Sequence, residues 1–286
     1  MNSEPTKLDP KYAARIARQQ LKNLHRSGIR HLPTPPQTHE FNFDGDSSGF
    51  GGTPSEASTV AEAKPSLEPS PSSRDAETPQ TPALLQTADE YTLTPGDRQQ
   101  RIDQLKVIQS EVVDCKSCPE LVANRTQTVF GVGNPEPRLC FLGEGPGADE
   151  DRQGEPFVGA AGQLLNKIIQ ACKMQREDVY ILNTVKCRPP ANRNPAETEL
   201  ANCWGYAERQ LEVLQPEFIC CLGSVAARTI LRTKQSVGKL RGQFFKYRGS
   251  RVLVTYHPAY LLRNPSAKRL VWDDMKRLLN EMGISL

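Results

Sequence analysis

The sequence predicts an α/β fold, a three-layer α/β/α arrangement around a central, mainly parallel four-stranded sheet. Three observations predict it. Four short apolar runs, 139–142, 179–182, 218–222 and 252–254, are continuous rather than alternating, as in strands buried on both faces. Each is followed by a segment whose apolar residues recur at helical spacing. Each run also ends in glycine or polar residues, and the carboxyl ends of such strands are where open α/β sheets bind ligands.

Composition separates a domain from a leader. About half of the 23 prolines precede residue 96, together with much of the Ser and Thr, while the chain as a whole is only 37% hydrophobic. Residues 1–96 are therefore expected to be a disordered leader and 97–286 the compact domain, which is long enough to bury a core. The formal charge of +3 conceals an asymmetry: 1–28 and 97–286 carry more Lys and Arg than acids, and 29–96 the reverse. A basic structured part favours a polyanionic partner. No apolar run approaches the ~20 residues of a membrane span, and the N-terminus lacks the apolar core of a signal peptide, so a cytoplasmic protein without membrane contact is expected. In that setting eight cysteines indicate metal binding or buried packing before disulfides.

In chain order, Asp9-Pro10 as cap and first turn, Ile16, Ala17 and Leu24 on one face and Gly28 as stop predict a short basic helix over 9–27. It reads as a marginal helix of no specific function, with a docking peptide for a partner protein or an extra DNA contact as the alternatives. Residues 29–95, rich in Pro, Ser and acids without periodicity, read as a linker. Ile102, Leu105, Ile108 and Val112 then form one helical face leading into Cys115-Lys116-Ser117-Cys118-Pro119. The first strand ends at Gly143 and opens into a glycine-rich loop, with a helix resuming near Gly159 through Leu164, Leu165, Ile168 and Ile169. The second strand ends at Asn183. Asn194-Pro195-Ala196-Glu197 starts a helix that carries Cys203. The third strand ends at Gly223 and precedes a helix through Ala226, Ala227 and Ile230. A basic segment, Lys234, Lys239, Arg241, Lys246 and Arg248, leads to the fourth strand, after which come His257-Pro258-Ala259-Tyr260-Leu261-Leu262-Arg263 and a last helix burying Leu270, Met275, Leu278 and Leu279. Glu144, Asn183 and His257 thus stand at three strand ends that can converge on one crevice.

The loop matches neither the dinucleotide fingerprint nor the phosphate loop ending in Gly-Lys-Ser/Thr. Cys115, Cys118, Cys187 and Cys203 supply four thiols from a tight turn, a proline-rich loop and a helix, a set that suits zinc or an iron–sulfur cluster alike. Cys140, Cys172, Cys220 and Cys221 fall in apolar surroundings, where free Cys acts as a small hydrophobe.

Four segments together, Gly143-Glu144-Gly145-Pro146-Gly147-Ala148-Asp149-Glu150-Asp151, Pro156-Phe157-Val158-Gly159, Asn183-Thr184-Val185-Lys186-Cys187-Arg188-Pro189-Pro190 and His257 to Arg263, resemble the family 4 uracil-DNA glycosylases, the iron–sulfur class from bacteria and archaea. The likeness covers about 100–282 and leaves the leader outside. It implies a DNA-repair enzyme that flips uracil out of DNA and hydrolyses its N-glycosidic bond, and a [4Fe-4S] cluster, with a structural role, on the four thiols.

The resemblance implies a role for each residue. Gly143 and Gly145 would let backbone approach the base, Phe157 would stack on it, and Asn183 would pair with N3–H and O4. His257 would donate to O2, and Glu144 would orient water or stabilise the positive sugar. Glu150 would crowd the C5 position, Leu261 would wedge into the vacated stack, and Arg263 with the basic stretch, Arg188 and Arg193 would meet phosphates. The expected partner is uracil-containing DNA, bound by a monomer at the nucleoid. The nearest alternative is a covalent or non-catalytic uracil-DNA binding iron–sulfur protein of the same superfamily. The covalent form carries a His-containing insertion near the cluster loop, and Cys187 to Arg193 runs on without one.

Overall fold

A computed structural model describes residues 90–285. The predicted helix over 9–27 and nearly all of the expected linker lie outside the described residues. The first two helices are α1 (Arg98–Val113) and α2 (Pro119–Asn124). Next come β1 (Val132–Gly133), β2 (Leu139–Gly143), α3 (Ala148–Gln153), α4 (Ala160–Ala171) and β3 (Tyr180–Asn183). The second half adds α5 (Glu197–Leu214), β4 (Phe218–Leu222), α6 (Ser224–Leu231), α7 (Val237–Leu240), β5 (Phe244–Tyr247), β6 (Ser250–Thr255), α8 (Pro258–Arg263) and α9 (Lys268–Glu281).

The sheet order is β1-β3-β2-β4-β6-β5. The four inner strands are parallel, as the apolar runs predict, and β1 and β5 add antiparallel edges, making six strands where four were expected. Both edges lack the signal that reveals inner strands. β1 is two residues long, and β5 is a half-exposed Phe244-Phe245-Lys246-Tyr247 whose lysine suits an edge. Alternate residues of each inner strand feed opposite cores. Cys140, Leu142 and Cys221 meet Leu105, Ile108 and Val112 of α1, Leu211 of α5 and Ile230 of α6. Leu139, Phe141 and Cys220 meet Leu165 and Ile169 of α4 and Met275 and Leu278 of α9. Each large side chain buried in these layers contributes about 1.5–3 kcal/mol. Cys140, Cys220 and Cys221 are fully buried and Cys172 nearly so, as small core residues.

Register fixes the functional end of the sheet. Gly143 pairs with Asn183 across β2 and β3, and Leu222 pairs with Thr255 across β4 and β6, so four strand ends reach one level. Their opposite ends receive the chain's entry. Tyr91 hydrogen-bonds Ser250 at 2.5 Å, and Glu212 accepts from the backbone amides of Thr92 and Leu93 and from the Arg248 guanidinium. Residues 91–93 are thus bonded to the fold ahead of Asp97. A short segment such as Glu90-Tyr91-Thr92-Leu93 joins the fold through Tyr91, the Glu212 carboxylate and the Gln215 amide, partnerships that leave no periodic trace. Hydrogen bonds to a charged group contribute about 1.5–3 kcal/mol, so a chain beginning at residue 97 is expected to be less stable than one beginning at residue 90 by about 2–3 kcal/mol in urea unfolding.

Candidate active site

A cleft of about 700 Å³ opens at the carboxyl ends of the inner strands, lined among others by Glu144, Phe157, Asn183, Tyr256, His257 and Arg263. Its floor is built by a close approach at Gly143. A Cβ there would lie 2.3 Å from Asn183 Oδ1 and 2.7 Å from the Phe157 ring, so only glycine lets the carboxamide and the ring meet.

Phe157 is buried with φ +54°, a left-handed conformation that costs a non-glycine residue about 1–2 kcal/mol. Its neighbours impose it. Arg176 donates to the Pro156 carbonyl at 2.5 Å, and Glu150 accepts from the amides of Val158 and Gly159, both at 2.9 Å. Gly162 on α4 packs against the Phe157 carbonyl, where a Cβ would come within 1.9 Å. The other oxygen of Glu150 accepts from the Gly147 amide at 3.0 Å. Glu150 lines the cleft, but both its oxygens are committed to backbone, so it fastens the glycine-rich loop to the start of α4 instead of projecting toward a ligand. The loop is further tied to β3 by the Thr184 amide and hydroxyl, which donate to the carbonyls of Gly143 and Glu144, and by the Val185 amide, which donates to Glu144.

Asn183 is 2% exposed and its Oδ1 has no hydrogen-bond partner. An unpaired buried acceptor costs about 1–3 kcal/mol, and unlike the equally unpartnered Gln210 Oε1 inside α5, that of Asn183 belongs to a residue lining the cleft, where a ligand donor can meet it. The Asn183 carbonyl is held from behind by the buried Lys186 ammonium at 2.9 Å.

His257 caps α8, and its Nδ1 accepts from the Ala259 amide at 3.1 Å. With Nδ1 an acceptor, the neutral ring carries its proton on Nε2. Burial, aided by Arg263 and opposed by Glu150, pulls the imidazole down to about 4. At neutral pH His257 is an uncharged donor, its ring centroid 5.5 Å from that of Phe157. Half-buried Glu144 has its carboxyl pushed above the ordinary carboxylate range by burial.

Leu261 does not reach the cleft. It is 1% exposed and packs with Leu165, Ile169 and Val271, whereas its neighbour Leu262 is 47% exposed. Position in the first turns of α8, and not residue type, decides which leucine faces out. Three arginines expected at phosphates are also engaged: Arg193 with Glu199 and Glu120, Arg241 with Asp274, and Arg248 with Glu208 and Glu212. Lys234, Lys239 and Lys246 remain exposed, and Arg263 lines the cleft.

All eight cysteines are free thiols. Cys115, Cys118, Cys187 and Cys203 sense one another electrostatically, and each sulfur has a donor. Arg125 donates to Cys187 at 2.9 Å, the Lys186 amide to Cys203 at 3.2 Å, Asn202 to Cys118 at 3.6 Å and the Tyr206 hydroxyl to Cys115. Among the described residues no trio of His, Cys, Asp or Glu is placed to hold a single metal ion. Four thiols from separate backbone segments, each with an N–H or O–H donor, have the donor chemistry of a thiolate-bound metal centre.

Residues 130–276 match the model of the Uracil DNA glycosylase superfamily, and the chain belongs to that superfamily. Within it, the chain is similar to the Type-4 uracil-DNA glycosylase of Thermotoga maritima, with 42% identity over 181 residues, 62% of this chain and 94% of that protein. The Type-4 uracil-DNA glycosylases of Sulfurisphaera tokodaii (40% over 193 residues, 64% and 87%) and Archaeoglobus fulgidus (38% over 185 residues, 62% and 92%) are also similar.

The two leucines separate by experiment. Leu261→Ala is expected to lower unfolding free energy by about 2–5 kcal/mol, as core truncations do, and Leu262→Ala to leave it within about 0.5 kcal/mol in urea titrations.

Proposed function

We propose that this chain is a uracil-DNA glycosylase: it takes uracil out of the DNA stack and hydrolyses the C1′–N1 bond, leaving an abasic site and free uracil. The observation that carries the reading is the buried, unpartnered Oδ1 of Asn183 beside the Phe157 ring on the cleft floor. Uracil presents a ring face for Phe157, an N3–H for that acceptor and an O4 for the same carboxamide's N–H. Cytosine presents the reverse donor pattern and would leave the buried amide mispaired, which supports discrimination by about 1–3 kcal/mol.

Negative charge grows on the uracil as C1′–N1 breaks, and the neutral Nε2–H of His257 is the donor for O2. A neutral donor shares its proton with an anionic leaving group without a prior charge being buried, and its backbone-fixed orientation spares reorganisation. Glu144 orients the attacking water or stabilises the positive sugar. Arg263 and the exposed lysines supply phosphate affinity, and Leu262, in place of Leu261, fills the gap left by the flipped base. Cys115, Cys118, Cys187 and Cys203 would hold a [4Fe-4S] cluster. When bound, that group cross-links the segments carrying its ligands and fixes the loop from Asn183 to Asn194. Such an enzyme works as a monomer on nucleoid DNA, and the leader is available to a partner protein.

A labelled oligonucleotide with one uracil tests the reading. Free uracil and an alkali-labile strand are expected. A persistent protein–DNA adduct without turnover, or no reaction, would sink it. His257→Ala is expected to slow excision by about 10²–10³, the loss typical of a preorganised donor, with DNA affinity nearly unchanged because phosphates dominate it.

The pH–rate profile carries a sign. With His257 neutral down to about pH 4, the rate has no step near the ordinary imidazole value of 6.5. Loss of rate on the acid side instead follows protonation of Glu144, at a pH above the usual carboxylate value, and is expected to vanish in Glu144→Gln, which is slow at every pH.

A further inference from the structure

The groups facing the cleft do not account for a buried polar network behind it. Asp274 of α9 is 1% exposed and is not among the residues that line the cleft. Its Oδ2 accepts from the Thr255 hydroxyl at 2.7 Å, and its two oxygens accept from Arg241 Nε at 3.1 Å and Nη2 at 2.9 Å. Arg241 also donates to the Leu270 carbonyl, one turn earlier on α9, so the guanidinium is clamped.

Two branches of this network reach the wall that carries His257, one through Thr255 and one through Arg241 and Tyr256. Thr255 is the last residue of β6, two before His257, and its carbonyl accepts from the Gly223 amide at 2.9 Å. A Cβ on Gly223 would lie 3.0 Å from His257 Cβ, so the bond that fixes Thr255 also fixes the surface against which His257 sits. Arg241 lies over the Tyr256 ring at 5.8 Å, and Tyr256 stacks on Tyr260 of α8 at 4.9 Å. A buried carboxylate is costly to desolvate, and replacing such a pair by apolar packing is often neutral or stabilising, so stability alone gives no account of its presence here.

We propose that Asp274, acting through Thr255 and Arg241, is a positioning residue for His257. It sets the height and turn of the β6–α8 junction so that Nε2–H meets the uracil O2, and it does not touch the substrate. The proposal rests on the glycosylase reading for its consequence in rate, but not for its consequence in geometry.

Thr255→Val is the sharpest probe, because it removes the hydroxyl, keeps the shape and leaves Asp274 paired with Arg241; Thr255→Ser restores the hydroxyl. Single-turnover uracil release by Thr255→Val is expected to fall about tenfold, the scale of a sub-ångström misplacement, with unchanged affinity for uracil-containing DNA and with rescue in Thr255→Ser. In a His257→Ala background the same substitution is expected to cost nothing more, since the two act as a unit. Independently of activity, the His257 imidazole resonances are expected to shift in Thr255→Val and return in Thr255→Ser. Unchanged rate with only a lowered melting temperature, losses that multiply with His257→Ala, or unmoved His257 resonances would each overturn the proposal. No uracil release from the unaltered chain would instead overturn the glycosylase reading, and the resonances would still decide whether Thr255 positions His257.

Discussion

The site depends on one constraint: the carboxamide of a buried strand end must face an aromatic ring across a position that has no side chain. Register brings Gly143 beside Asn183, and Phe157 arrives from the far end of the loop that Gly143 begins. Any Cβ at 143 would occupy the space of both. The loop between 143 and 157 is therefore not free to relax. Glu150 staples its middle to the start of α4, Thr184 and Val185 tie its beginning to β3, and Gly162 seats its end against a helix.

Such a floor is energetically unfavourable by itself. A left-handed Phe157, an orphan acceptor on Asn183, a Glu144 whose ionisation burial opposes and a histidine kept neutral each cost stability. The offset comes from the two cores on either side of the sheet, where Phe141, Leu165, Leu182 and Leu211 are fully buried. Functional strain is tolerated because the surrounding structure over-determines it, and these four groups all line the cleft at the carboxyl end of the sheet.

The inner sheet and the convergence of Glu144, Asn183 and His257 on one cleft were legible because each leaves a local mark: a continuous apolar run and a polar residue closing it. What was not legible depends on partners far away in sequence. Leu261 and Leu262 are chemically identical, and only the docking of α8 on α4 and α9 buries one and exposes the other. Arg241 and Arg248 look like phosphate contacts until Asp274 and Glu212, more than thirty residues from them, appear at their sides. Glu150 resembles a ligand-facing carboxylate because its three amide donors come from backbone, which sequence reading does not register. Gly162 was visible only as a residue in a helix, although its missing side chain is what seats Phe157.

The thiol quartet and the cleft share backbone, which bears on why a metal centre would accompany a hydrolysis that moves no electrons. Cys187 is four residues beyond Asn183, and the intervening Lys186 binds the Asn183 carbonyl with its side chain while its amide binds the Cys203 sulfur. On the other side Arg125 binds Cys187, and the next residue, Thr126, donates its amide to both oxygens of buried Asp151, adjacent to Glu150. Two short routes thus run from the sulfurs to the two sides of the cleft floor. A centre on these sulfurs would therefore brace the loop behind Asn183 and the helix that carries Glu150, on either side of the contact that Gly143 permits between Asn183 and Phe157.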